Sequence, residues 1–261
     1  MLLHILLDYT RRNFNYKSTC IYQMIDVIKY LNQYFNLFAF EDRVVVNFKD
    51  DNPVIVERIS HIINYVYENY ANRITLEDLA EKEHLYYVHP TSDRYTVGGQ
   101  GTISLEILDQ CPQVEQIVVP IGGGGLITGI ALTMKTLKPS VKIYGVMPVG
   151  SAVYVESRRQ GQLVTLDHCS SMADAVVRKT GEEYLYPYIE KYVDDIFTVT
   201  EDSIRQAVRT ACLYGKLTLE GSGALALAAL LEKKCPLSPG TVLICSGGNI
   251  DKAVLDLCMQ A

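Results

Sequence analysis

"VVPIGGGGLITGI", Val118 to Ile130, is the stretch on which the fold class turns. Four glycines, Gly122 to Gly125, stand between a β-branched apolar run and a stretch with helical periodicity. Glycine inside a regular element costs roughly 0.5–1 kcal/mol relative to alanine, so four in succession mark a backbone that something approaches closely. Upstream, Ile117, Val118 and Val119 have the continuous apolar character of a strand buried on both faces of a parallel sheet. Downstream, Leu126, Ile127, Ile130, Ala131, Met134 and Leu137 recur at helical spacing, and Pro139 marks where that helix has ended. The glycines therefore occupy a strand-to-helix turn. Such a turn aims unpaired backbone N–H groups and the positive end of the helix dipole at one point, which suits a phosphate.

Spacing excludes the common phosphate motifs. The dinucleotide pattern G-x-G-x-x-G/A fails, because from Gly122 or Gly123 its third position falls on Ile127 or Thr128. The P-loop fails because Gly124 to Gly129 is followed by Ile130 and Ala131 in place of Lys and Ser/Thr. Gly221, Gly223 and Ala226 fit the dinucleotide spacing, but no acidic residue follows at the required distance, and close helix packing is the expected reason for them. The alternative for Gly122 to Gly125 is a tight connection needed only for packing, for which two glycines would suffice.

Outside this turn the chain has two styles. Residues 1 to 85 contain no glycine, are rich in Tyr and Asn, and read as mainly helical around one strand, Arg43 to Phe48. Ile55, Ile59, Ile62, Ile63, Val66 and Tyr70 form an apolar stripe at helical spacing, and Thr75 and Asp78 of "TLED" read as a capping box. From residue 86 strands alternate with helices, and all 18 glycines lie there. The strands expected are Gln116 to Val119, Lys142 to Val146, Ile196 to Val199 and Thr241 to Cys245, with helices after the cap-like Thr200 and from Leu225 to Lys233. This predicts an α/β fold with a doubly wound, mostly parallel sheet, in which ligands bind at the carboxyl ends of strands. "CSGGNID", Cys245 to Asp251, stands at a second such end.

A net charge of -6 argues against a broad nucleic-acid surface. The opening "MLLHILLDYTRR" is too short for a membrane span and has its arginines after the apolar run, unlike a signal peptide, so a cytoplasmic protein is expected. The 7 cysteines form no C-x-x-C pair, and Cys212 and Cys245 read as small core residues of a reduced protein.

"YVHPTSDRYTVGGQGTISLEIL", "VVPIGGGGLITGIA", "VDDIFTVTEDSI", "LEGSGALALAALL" and "SGGNID" resemble, in order and spacing, motifs of the threonine dehydratases and serine racemases, the fold-type II pyridoxal-phosphate (PLP) enzymes. The resemblance covers residues 86 to 261 and corresponds to the later half of such an enzyme. It implies that Gly122, Gly123, Gly124, Gly125 and the Leu126 amide cradle the phosphate of PLP. It also implies that Ser246 bonds the pyridine nitrogen and that Glu220 lies near the same edge of the ring. A neutral serine there makes PLP a weaker electron sink than an aspartate would, which fits β-elimination from threonine or serine to a 2-oxo acid and ammonia.

The family's Schiff-base lysine lies in an early S-x-K-x-R-G-like motif, followed by a loop for the substrate carboxylate, and neither motif occurs in these residues. The nearest candidate is Lys49 in "NFKDD", where Asp50 and Asp51 replace the apolar and basic residues expected; Lys216 reads as structural. Thr91, Ser92 and Arg94 also depart from the family pattern, as do Ser170 and Ala175. Asp174 is left as the one candidate ligand where some relatives bind a divalent cation, and a solvated loop without a metal is expected. Earlier, "ISHIINYVYENYANRITLEDLAEKEHL", Ile59 to Leu85, resembles the start of the DNA-binding domain of AraC-type regulators, but "YYVHP" begins where the recognition helix should follow.

Three readings follow. The first is a dehydratase-family enzyme with reduced or absent activity, a fusion joined near Leu85, self-associating through an uncovered cleft. The second is a non-catalytic PLP- or phosphate-binding remnant. The third is a DNA-binding regulator, which the missing recognition helix disfavours.

Overall fold

The computed structural model describes residues 61, 64–69, 75–82 and 84–260, together with the backbone of 35–40 and 43–48. The chain divides into two units, Met1–Tyr87 and Val88–Ala261. In the first, β1 (Phe35–Phe40) and β2 (Arg43–Phe48) pair antiparallel, with Phe35 opposite Phe48 and Phe40 opposite Arg43. The sequence reading anticipates β2 alone. A single strand leaves its N–H and C=O groups unpaired, and β1 supplies the partners. Residues 64–69 are helical, and Val66 is half-buried there; Ile55, Ile59, Ile62, Ile63 and Tyr70 lie outside the described residues. Helix α1 (Leu76–Lys82) starts with the expected reciprocal cap. The Asp78 amide donates to the Thr75 hydroxyl at 3.1 Å, and the Thr75 amide donates to the Asp78 carboxylate at 2.9 Å.

The second unit opens with α2 (Arg94–Gln110), capped by Asp93, whose carboxylate accepts the Tyr95 amide at 2.7 Å. Strand β3 (Gln116–Pro120), helix α3 (Gly125–Leu137) and strand β4 (Lys142–Pro148) follow. Next come α4 (Val153–Gln160), α5 (Tyr186–Tyr192), β5 (Asp195–Val199), α6 (Glu201–Thr210), α7 (Leu225–Leu231), β6 (Thr241–Leu243) and α8 (Lys252–Gln260). The sheet has the order β5-β4-β3-β6 and every pairing is parallel, as the alternation of elements predicts. Strand β6 stops two residues short of the expected Cys245, although the Ile244 amide still donates to the Val118 carbonyl at 2.9 Å.

Successive β3 side chains enter different cores because strand residues alternate between faces. Ile117 and Val119 pack with Val97 of α2, Ile130 and Met134 of α3 and Ile189 of α5. Val118 packs with Ile204 and Val208 of α6 and Leu225 and Ala228 of α7. Helices thus cover both faces. Every β3 residue is buried, and each Val or Ile side chain so placed contributes about 1.5–3 kcal/mol relative to exposure.

At the amino-terminal edge of the sheet, Asp194 ties two strands together. Its carboxylate accepts from Lys135 at 2.7 Å, from Lys142 at 2.8 Å and from the Ile143 amide at 2.9 Å. Burial alone would raise its pKa, but these hydrogen bonds outweigh burial and hold it below the usual carboxylate value. Among the described residues no helix is long and apolar enough to cross a membrane.

Candidate functional site

The last backbone bond of β3 toward β4 runs from the Ile121 amide to the Val146 carbonyl at 2.9 Å. The chain then leaves the sheet through Gly122, Gly123 and Gly124 and enters α3 at Gly125. The first amide of the turn with a backbone acceptor is that of Thr128, bonded to the Gly124 carbonyl at 3.0 Å. Among the described residues no hydrogen bond uses the amides of Gly122 to Ile127. These are the donors that a helix start leaves unpaired, here concentrated at the carboxyl end of a central strand, and an anion is the chemistry that satisfies them.

The need for glycine is explained first by the chain itself. Gly124 has φ of +99°, and a Cβ there would lie 2.8 Å from Ile189 Cδ1 and 2.9 Å from Tyr154 Oη. A Cβ on Gly125 would overlap the Thr91 carbonyl oxygen, and one on Gly123 would lie 3.0 Å from Thr91 Cγ2. At Gly122 the neighbour is the Val176 backbone, 3.1 Å from such a Cβ. The close approach inferred from sequence is therefore made by Thr91, Tyr154, Ile189 and Val176, and packing has a larger share than the sequence reading gave it. The inner side of the turn is filled with side chains, while its amides stay unpaired.

A second turn leaves β6, the strand beside β3, and carries Ser246, which is exposed. Glu220 is fixed against this turn: its amide donates to the Gly247 carbonyl at 3.1 Å, and its carboxylate accepts the Asn249 amide at 3.0 Å. The structure thus brings Glu220 to the Ser246 turn, and sets that turn on the strand next to the one that ends in glycines. Gly223 is small because it abuts Gly247, and Gly221 because it abuts Met172 and Ala173. These contacts are with turns, which corrects the expectation of close helix packing. Gly122 against Val176 and Gly221 against Ala173 place the 172–176 segment against both the glycine turn and the turn that follows Glu220.

Lys49 lies outside the described residues. Lys216 follows a π-helical segment, Ala211–Gly215, with φ of +56°, and its Nζ donates to the Leu213 carbonyl at 3.1 Å. Lys135 and Lys142 are held by Asp194, and Lys138 by the Pro112 and Val114 carbonyls, all at the end of the sheet opposite the glycines. Asp174 is exposed and bonds its own neighbour's amide, that of Ala175, at 2.9 Å. Among the described residues no group of three or more His, Cys, Asp or Glu gathers to hold a metal ion. Cys212 is only half-buried and Cys245 is exposed, contrary to their reading as core residues; Cys245 lies beyond the end of β6.

Sequence reasoning missed Tyr154, Glu182 and Glu201. Glu201 holds the 171–172 backbone, accepting from the Ser171 hydroxyl at 2.6 Å and the Met172 amide at 2.9 Å. Thr91 and Ser92 cluster around His89, whose Nδ1 accepts the Ser92 amide at 3.0 Å.

This arrangement meets the demands of a phosphate-bearing cofactor at its phosphate end: a fan of unpaired amides, a left-handed glycine, and a polar turn on the adjacent strand. Comparison with known proteins shows the family. Residues 59–247 match the family "Pyridoxal-phosphate dependent enzyme". The match starts at Ile59, inside the segment that resembles an AraC-type regulator, and so extends upstream of Tyr86. The chain is 41% identical over 199 residues to serine racemase from Rattus norvegicus, covering 74% of this chain and 58% of that protein. It is 35% identical over 178 residues to L-threonine ammonia-lyase from Thermotoga maritima, covering 68% of this chain and 44% of that protein. The chain spans about half the length of the curated relatives it matches. Among solved structures, threonine deaminase isoform 2 from Solanum lycopersicum superposes with a TM-score of 0.66 at 34% identity, covering 70% of this chain and 54% of that one. Maize serine racemase gives 0.64 at 34%, covering 70% and 57%. With its fold, its glycine turn and these relatives in agreement, the chain belongs to the pyridoxal-phosphate dependent enzyme family.

Proposed function

We propose that residues 86–261 form the phosphate-holding wall of a PLP site of the threonine/serine ammonia-lyase type, acting on a β-hydroxy amino acid, with reduced or absent activity in this stretch by itself. The observation that carries this reading is the set of unpaired amides from Gly122 to Ile127 at the carboxyl end of β3, beside the Ser246 turn of β6. Bound PLP supplies the electron sink that lets such an amino acid lose its α-proton and β-hydroxyl on the way to a 2-oxo acid and ammonia. The Gly122 to Leu126 amides would hold its phosphate, with the α3 dipole adding to the attraction. Ser246 would meet the pyridine nitrogen as a neutral partner, and Glu220, anchored by the Asn249 amide, keeps the Ser246 turn in place. The reading carries with it a cytoplasmic, self-associating protein whose small-molecule partner is threonine or serine.

A second reading, a phosphate-binding remnant without chemistry, is favoured by Lys135, Lys138 and Lys142 lying at the far end of the sheet. One experiment separates the two: incubate the chain with PLP, reduce with borohydride, map any pyridoxyl-lysine by mass spectrometry, and assay 2-oxo acid release from threonine and serine. A stoichiometric adduct at one lysine, Lys49 or another, with product release would make this stretch a competent enzyme. A PLP-dependent rise in Tm with no single adduct supports the remnant. Neither response would sink the phosphate site.

A further inference from the structure

Tyr154 of α4 is fully buried, and its hydroxyl is bonded on both sides. It donates to the Gly123 carbonyl at 2.7 Å and accepts the Glu182 amide at 2.9 Å. The Glu182 carboxylate in turn accepts the Thr91 hydroxyl at 3.1 Å. Thr91 then closes the circle, since its side chain lies against Gly123 and its carbonyl against Gly125. The glycine turn is therefore gripped at two places, by Tyr154 beneath Gly123 and Gly124 and by Thr91 along Gly123 and Gly125, and both grips meet at Glu182.

The consequence follows from peptide geometry. In a trans peptide the C=O and the next N–H point in opposite directions. Pulling the Gly123 carbonyl inward onto Tyr154 turns the Gly124 amide outward, away from the core. The φ of +99° at Gly124 is the backbone's response, and only glycine takes it without strain. Resting on the phosphate-site reading, we infer that Tyr154, Glu182 and Thr91 are positioning residues that preset the glycine amides for a phosphate group. Burial pushes the Tyr154 hydroxyl up to about 12, so it stays a donor throughout the neutral range. None of the three touches the phosphate; they act through the backbone they hold.

The test is an amide NMR titration of the full chain with inorganic phosphate, comparing wild type, Tyr154→Phe and Tyr186→Phe. Tyr186 stacks on Tyr154 and also donates to a carbonyl, that of Ser157 at 3.2 Å, but does not hold the glycine turn, so it controls for loss of a tyrosine hydroxyl. The expected result is a Kd about tenfold weaker in Tyr154→Phe, with an altered Gly124 amide shift, and an unchanged Kd in Tyr186→Phe. Thr91→Val should weaken binding in the same direction, and Thr91→Ser, which keeps the hydroxyl, should restore it. Equal affinity in wild type and Tyr154→Phe would overturn the positioning role while leaving the phosphate site standing. No response in wild type would overturn both. Should Tyr154→Phe fail to fold, hydrogen exchange on wild type decides: coupling is reciprocal, so phosphate must slow exchange of the Glu182 amide. An unchanged rate there would overturn the inference.

Discussion

Gly124 concentrates the argument at the scale of single residues. Gly124→Ala places a Cβ at positive φ against Ile189 and Tyr154. Such strain costs on the order of 1–3 kcal/mol, so thermal denaturation should show that loss together with weakened phosphate binding. Tyr154 gives a pH signature. Its folded pKa, about 12, exceeds the unfolded value near 10 because burial disfavours the phenolate. The folded chain therefore keeps a proton that the unfolded chain releases. The contribution is intact below pH 10 and is lost as pH rises from there through about 12. Alkaline unfolding should be less steep in Tyr154→Phe, and an unchanged slope would contradict this assignment. The glycine turn between β3 and α3 was legible in sequence because it sits in a local motif, whereas Glu220 and Ser246 were singled out only through the family resemblance. Tyr154 and Glu182 were not, since their roles depend on partners 31 and 91 positions away.

Elements were legible where periodicity was long. The alternation from β3 to α8, the Thr75 and Asp78 cap, and the stop of α3 before Pro139 all appear as the residues predict. Strand β1 was not legible: "FNLFAF" has no clean alternation, and only its pairing with β2 identifies it. Helices α2 and α3 pack so closely that a Cβ on Gly129 would overlap the Val97 carbonyl. Gly129→Ala should therefore destabilise by about 1–3 kcal/mol through overpacking, as measured by denaturant titration. Asp194 joins the starts of β4 and β5. Its folded pKa lies below the unfolded carboxylate value, so its contribution is present above that value and fades as pH falls through the folded pKa. Asp194→Ala should cost about 1 kcal/mol at neutral pH and less in acid. A difference independent of pH would contradict the role given to its charge.

For the whole molecule, the family match from Ile59 to Gly247 and the parallel sheet of Val88–Ala261 agree on the scaffold of a pyridoxal-phosphate dependent enzyme. Fold class was readable because a parallel sheet imprints its alternation on sequence. The extent of the family relationship before Tyr86 was not, because short helical stretches with apolar stripes serve many folds. Tyr214 within the π-helical segment and Leu217 just after it are 82% and 51% exposed, an apolar surface that predicts self-association; light scattering should show dimers or larger species. The most direct test of the phosphate-holding turn is equilibrium dialysis of the chain with PLP and with pyridoxal, which lacks the phosphate. The account predicts that PLP binds at least about tenfold more tightly and that Gly124→Ala removes the difference. Equal binding of the two compounds, or an advantage for PLP that survives Gly124→Ala, would contradict it.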